Sequence, residues 1–241
     1  MPLAVSAHGQ NPAALNRVIR TDSSGCVVTR NEAIAWAEEG TYFRATNATL
    51  GTGTAMGIQT AFSATANVLL VMRNGSATKR IIPHYIRLVN TAAGASTTSS
   101  NVAVVLDTAN RYSSGGTDLT GNIANAISSV APSGSAVDVL RFNCTAAAAV
   151  AARTLGRAIL KTQAAPCWTV GDEVMITFTD HDAGGQGGAL SGSAPIAITK
   201  NFGPVILQGQ NHCLLVHMWN PANATTAPSW EFEIAWWERD V

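Results

Sequence analysis

The chain predicts an all-β sandwich, and three observations carry that expectation. In Trp230-Glu231-Phe232-Glu233-Ile234-Ala235-Trp236, large apolar residues stand at 230, 232, 234 and 236, with acids at 231 and 233. A strand sends alternate side chains to opposite faces, so one face of this segment belongs to a core and the other to a polar surrounding. Just upstream, Pro204-Val205-Ile206-Leu207 and Cys213-Leu214-Leu215-Val216-His217-Met218-Trp219 flank Gly209-Gln210-Asn211, the pattern of two strands joined by a tight turn. About eight or nine such segments, with turn signals between them and no 20 to 50 residue repeat, indicate a sandwich or barrel.

Residues 1–30 read as an N-terminal arm, because Pro2, Pro12, the polar run His8-Gly9-Gln10-Asn11 and the small apolar group Leu15, Val18 and Ile19 cannot bury themselves. The remainder, 31–241, reads as one domain. Residues 31–39 fit a short helix or a strand equally well and end at Gly40. Residues 41–66 hold a single charge, Arg44, and no period. A loop longer than roughly 12–15 residues is commonly functional or held by a partner, so an interface is expected there.

Strands resume at Val68-Leu69-Leu70-Val71-Met72, followed by an Asn74-Gly75 turn expected to use positive φ. Residues 79–90 place Ile82, His84, Ile86 and Leu88 on one face, and Pro83 marks an edge or a bulge because it lacks a ladder donor. Val102, Val104 and Leu106 form a strand ending at Asp107, and Ile123, Ile127 and Val130 are spaced for a short helix within 119–130. Val137 to Phe142 alternates again. The alanine run 146–149 is ambiguous, but Arg153, Leu155, Arg157 and Ile159 favour a strand entering near 152. Val174, Ile176 and Phe178 define an inward face, and Pro195 to Thr199 leads to the terminal strands after a glycine-rich loop at 184–188.

Composition restricts the partners. Charged residues make up 12% of the 241-residue chain, with fifteen basic and fifteen acidic side chains. Ordinary domains carry roughly a quarter. Such a surface offers no field to attract nucleic acid or an anionic membrane, and near-zero net charge favours association, so self-assembly and protein partners are expected. The opening Met1 to His8 lacks the basic start and apolar stretch of a secretory leader, and no segment approaches the roughly 20 apolar residues of a membrane span. Synthesis in the cytosol is the expectation.

Chemistry is hard to find. No nucleophile elbow, zinc-protease, phosphate-loop or complete dinucleotide motif occurs, and Gly51-Thr52-Gly53 runs on to Gly57 out of register. No catalytic, cofactor-binding or metal-binding residue is therefore assigned. Cys26, Cys144, Cys167 and Cys213 are widely spaced and read as buried thiols rather than a disulfide framework. His212 and His217 would face opposite ways on one strand, while Cys213 and His217 share a face about 13 Å apart, too far for one metal. Asp180-His181-Asp182 is the densest ligand-type cluster, and acids beside glycine more often mark a turn than a cation site. Sequons at Asn47, Asn74, Asn143 and Asn223 follow from a Thr/Asn/Ser-rich composition. Trp219, Trp230, Trp236 and Trp237 could form a sugar platform, but inward strand positions favour a core role. Trp237, in phase with Glu231 and Glu233, is the one expected to be exposed or at a subunit contact.

Glu38-Glu39-Gly40-Thr41-Tyr42-Phe43-Arg44-Ala45-Thr46-Asn47, Asn110-Arg111-Tyr112-Ser113-Ser114-Gly115-Gly116, Gly203-Pro204-Val205-Ile206 and the run from Pro228 to Arg239 carry a resemblance. They look like stretches of small structural proteins of tailed bacteriophage particles, marine phages especially. The likeness is scattered over residues 38–239 and omits the arm. It implies a jelly-roll-like subunit without catalytic machinery that resides in the virion. Such a subunit would bind the major capsid protein and copies of itself, for example as a trimer, to decorate or cement the head. A receptor- or glycan-binding head on a tail fibre is the other role it implies.

Overall fold

The computed structural model describes residues 40–47, 49–94, 99–125, 134–162, 168–178, 195–221 and 226–241. The proposed arm at 1–30, the segment 31–39, the glycine-rich loop and Asp180-His181-Asp182 lie outside them, as do Cys26, Cys167 and Asn223.

The described residues form a β-sandwich. Its strands are β1 (Tyr42–Thr46), β2 (Thr54–Ala55), β3 (Val68–Asn74), β4 (Lys79–Ala92), β5 (Ser99–Asp107), β6 (Tyr112–Ser114) and β7 (Thr117–Asp118). They continue with β8 (Ile123–Asn125), β9 (Val137–Ala146), β10 (Arg153–Thr162), β11 (Glu173–Thr177), β12 (Ala197–Asn201), β13 (Cys213–Trp219) and β14 (Ser229–Asp240). The first sheet has the order β12-β11-β4-β14-β1-β8, with β2 added to β14. The second has the order β10-β5-β13-β3-β9-β6, with β7 added to β9. Among the described residues, only β11 and β12 pair in parallel. Eight strands pair in a nested way, β5 with β10, β4 with β11, β3 with β13 and β1 with β14, as though one long hairpin had been rolled up.

Alternation explains the layers. Trp230, Phe232, Ile234 and Trp236 of β14 all point into the space between the sheets, and Leu214, Val216 and Met218 of β13 meet them from the other side. Phe142 of β9 stacks on Phe232 across that space at 4.7 Å between ring centroids. Each fully buried side chain of this size contributes about 1.5–3 kcal/mol, which makes this central slab the principal source of stability. As expected, Val174, Ile176 and Phe178 are buried in it.

Several expectations are corrected. The 41–66 segment is not one loop. Tyr42–Thr46 is a strand held between β14 and β8, with Phe43 and Ala45 in the core. Residues 79–90 do not keep one face, because β4 gains a residue at His84 relative to β14, so that Tyr85 pairs with Ala235 and Pro83 with Trp236. Ile86 and Leu88 therefore point inward, while Ile82 joins Tyr42 and Trp237 on the outer face. Of the two alternatives that Pro83 marks, the structure has the bulge and not the edge, since β4 lies between β11 and β14.

Pro204 to Leu207 is not a strand. Leu207 alone bridges to Ile81, and the following turn is closed by Asn211 at φ 69°. Asn74 and Gly75 do not adopt positive φ. Instead the buried Asn74 amide donates to the Lys79 and Leu207 carbonyls and its oxygen accepts from Ser76 N–H, shaping the turn through its side chain. In place of a helix starting at 119, a single 3-10 turn at Thr120–Asn122 leads into β8; residues 126–130 lie outside the described part.

Candidate interaction surfaces

Among the described residues, no group of three or more His, Cys, Asp or Glu side chains is placed to hold a metal ion. Cys144 and Cys213 are buried free thiols, and burial pushes both up to about 11, so neither is a thiolate at neutral pH. His217 is also buried, which lowers its pKa to about 4, with Arg111 acting in the same direction. None of the described helical turns is long and apolar enough to cross a membrane.

The outer face of the first sheet is a polar and aromatic network. Tyr42 hydroxyl is hydrogen-bonded to His84 Nδ1 at 2.8 Å, and the His84 ring stacks on Trp237 with centroids 4.4 Å apart. Burial, with Arg44 assisting, lowers the His84 pKa and keeps the ring neutral. The Tyr85 hydroxyl donates a hydrogen bond to Glu233 Oε1, and Arg87 grips Glu173 through Nε at 2.8 Å and Nη2 at 2.9 Å. That fork holds the Glu173 carboxyl below its usual range. Trp237 does share the face of Glu231 and Glu233, as its phase in the strand predicts. It is nevertheless only 7% exposed, because β1 and the His84 bulge bring Tyr42 and His84 against it. It is a packed residue of this chain and not a bare platform. Further along β14, towards its start, Leu50, Arg87, Glu231 and Glu233 line a cleft of about 180 Å³.

The second sheet carries an additional layer outside it. Val71, Val105, Cys213 and Leu215 face away from the central slab yet are buried. The 56–66 segment crosses this face: Gly57 N–H donates to Asn143 Oδ1, Ala146 N–H donates to the Thr65 carbonyl, and Phe62 packs on His217 and Trp219. Trp219 thus belongs to this outer layer, while Trp230 and Trp236 belong to the central core. Phe62 remains 47% exposed and Ile159 55%, with Ile58, Val150 and Leu155 also open, so among the described residues the second sheet's side and its β10 edge hold most of the exposed large apolar groups.

At that edge β10 runs beside the turn that follows β12. The Phe202 ring lies over Gly156, where an added Cβ would come within 3.2 Å of it. Leu155, Arg157, Lys200 and Phe202 line the resulting cleft of about 450 Å³, which has no acid in its lining. The alternation at Arg153, Leu155, Arg157 and Ile159 marked this strand correctly. Those residues are its exposed set, however, while Ala158 and Leu160 pack against the core.

No protein-family model matches the chain, and neither a curated protein nor a solved structure shows significant similarity to it.

Proposed function

We propose that this protein is a non-enzymatic structural component of a tailed-phage virion that decorates or cements the head by binding the major capsid protein and copies of itself. The observation that carries this reading is the nested pairing of eight strands. When those eight alone are numbered along the chain and the other six strands are left out, they run 6-3-8-1 in one sheet and 5-4-7-2 in the other, an order that supports a jelly-roll-like reading, and the jelly roll is an architecture of viral capsid and lectin domains. The sequence resemblance points the same way. The exposed apolar side chains on the second sheet's side and a low-charge exterior suit a subunit whose partners are other proteins. Its physical task is to bury added interface, so that binding to the assembled shell stabilises the shell by mass action.

Electron microscopy of particles carrying the labelled protein tests the proposal, with many copies spread over the head as the expected image. Deleting residues 1–25 is expected to weaken head binding while leaving the thermal transition in place. Decoration by the truncated chain at full occupancy would remove the arm from the proposal.

A second reading, a glycan-binding head on a tail fibre, is favoured by the small cleft between Leu50, Arg87, Glu231 and Glu233, whose carboxylates suit sugar hydroxyls. A few copies confined to a tail tip, together with glycan-array binding lost in Glu231→Gln, would select it over the cement role.

A further inference from the structure

The sandwich protects its sheet edges unequally. Beyond β1 and β9 the sheets end in strands of three residues or fewer, β8, β6 and β7. At the other side β10 is ten residues long, and no described strand pairs with its outer edge. An edge of that length left unpaired among the described residues presents backbone donors and acceptors, which makes it a template for an added strand. Two register shifts, between Thr154 and Gly156 and between Ile159 and Lys161, confine the regular part to Gly156 through Ile159.

Charge decides what the edge accepts. Arg153, Arg157 and Lys200 stand along it, and none forms an ion pair with a described acid, whereas Asp107, Asp118, Asp138, Glu173, Glu233 and Glu238 all have a basic partner. The Arg157 head is held in place without being neutralised: Nη2 donates to Asn101 Oδ1 at 2.7 Å, and the guanidinium lies 5.3 Å from the Trp219 ring centroid. In registers that set Arg157 opposite Arg157 or Arg153, a second copy of β10 laid antiparallel on the first would oppose cation to cation, and in the register centred on Gly156–Ile159 it would set Arg157 against Ala158, without complementary charge. An acidic strand would meet complementary charge, with Phe202 and Leu155 available to its apolar side chains.

We infer that the β10 edge and the adjoining Arg157–Lys200–Phe202 cleft form a docking site for an extended acidic peptide segment of a partner protein, which adds to the second sheet as a further strand. Backbone hydrogen bonds along Gly156 to Ile159 supply affinity, and carboxylates brought beside Arg153, Arg157 or Lys200 supply selectivity. The inference is independent of the capsid reading, since it holds for a partner of any origin that carries such a segment.

The test uses the full chain and a capped octapeptide alternating Glu and Val as probe, with Gln–Val and Lys–Val peptides alongside. Hydrogen exchange of the β10 amides is expected to slow with the Glu peptide only. Binding is expected to weaken by about tenfold or more in both Arg153→Glu, an exposed position on β10, and Lys200→Glu, a half-buried position on β12, neither of them in the hydrophobic core, and to weaken with salt. Equal binding of the Gln peptide, or β10 exchange unchanged by the Glu peptide, would overturn the inference. Concentration-dependent self-association that protects β10 without peptide would overturn it too, in favour of a second copy as occupant.

Discussion

Arg111 Nη1 lies 3.0 Å from Asp107 Oδ2, and both side chains are sealed from solvent on the outer face of the second sheet. The pair fastens three segments together. Arg111 donates from Nε to the Ala147 carbonyl and from Nη2 to the Ala64 carbonyl, each at 2.9 Å, while Asp107 accepts from the amides of Ala109, Val150 and Ala151. Burial alone would raise the Asp107 pKa, but the Ala151 and Val150 amides, Arg111 and the Ala109 amide together hold it below the usual carboxylate range. Arg111→Ala leaves a buried carboxylate without its cation and two carbonyls without donors. A loss of about 3–5 kcal/mol in urea unfolding is expected. A loss below about 1 kcal/mol would mean that solvent reaches the pair.

Acid sensitivity should begin well above the carboxylate range, because of His217. Unfolded, its imidazole titrates near 6.5; folded, burial lowers it to about 4. Between those values the unfolded chain binds a proton that the folded chain does not, so stability falls as pH drops from about 6.5 to about 4, by on the order of 3 kcal/mol at full extent. His84, lowered by burial as well, adds in the same direction. Asp107 acts later, its contribution being lost only as pH falls below about 3.9 and through its depressed folded value. Unfolding free energies at pH 7, 6 and 5 are expected to decline, and His217→Gln should flatten that slope whatever its effect at pH 7. An unchanged slope would assign the sensitivity elsewhere.

What the sequence revealed and what it concealed follow from the same period of two. Strand β11 was legible because Val174, Ile176 and Phe178 alternate without interruption and all three enter the core. Strand β4 was half legible: one added residue at His84 moves Ile82 to the opposite face from Ile86, and a bulge is a backbone event with little side-chain signature beyond the neighbouring proline. Strand β1 was missed because its short apolar positions, Tyr42, Phe43 and Ala45, open a long run of Thr, Ala and Gly. With β1 misread as loop, nothing in the sequence could show that Tyr42 would cover Trp237. The β10 cleft was equally hidden, since it depends on Phe202 meeting Gly156 from an element more than forty residues away.

Trp237 gives a direct test of packing against partner contact. Its indole is covered by Tyr42 and His84 within one chain. Trp237→Ala is therefore expected to cost about 3–5 kcal/mol of folding stability in the isolated protein. The same substitution removes the group stacked on His84 and admits water, so the His84 pKa should move up toward its ordinary value, readable by NMR titration. Unchanged stability with a defect confined to assembly would instead place Trp237 at a subunit contact.

Glu238, next to Trp237 but on the inward face of the same strand, makes a sharper prediction through its burial than through its charge. Its carboxylate accepts from Ser135 Oγ at 2.6 Å, from Ala136 N–H at 2.8 Å and from Trp236 Nε1 at 3.1 Å. Lys79 is the ion-pair partner, but at 3.6 Å and with 38% of its side chain exposed it adds little. Glu238→Ala strands the fully buried Trp236 N–H and the Ala136 amide, for an expected loss of about 2–4 kcal/mol and faster hydrogen exchange at Ala136. Lys79→Ala should cost less than about 1 kcal/mol. Glu238→Gln retains one acceptor oxygen and should fall between the two. If Lys79→Ala proves as damaging as Glu238→Ala, the ion pair and not the hydrogen-bonded acceptor holds this corner of the sandwich.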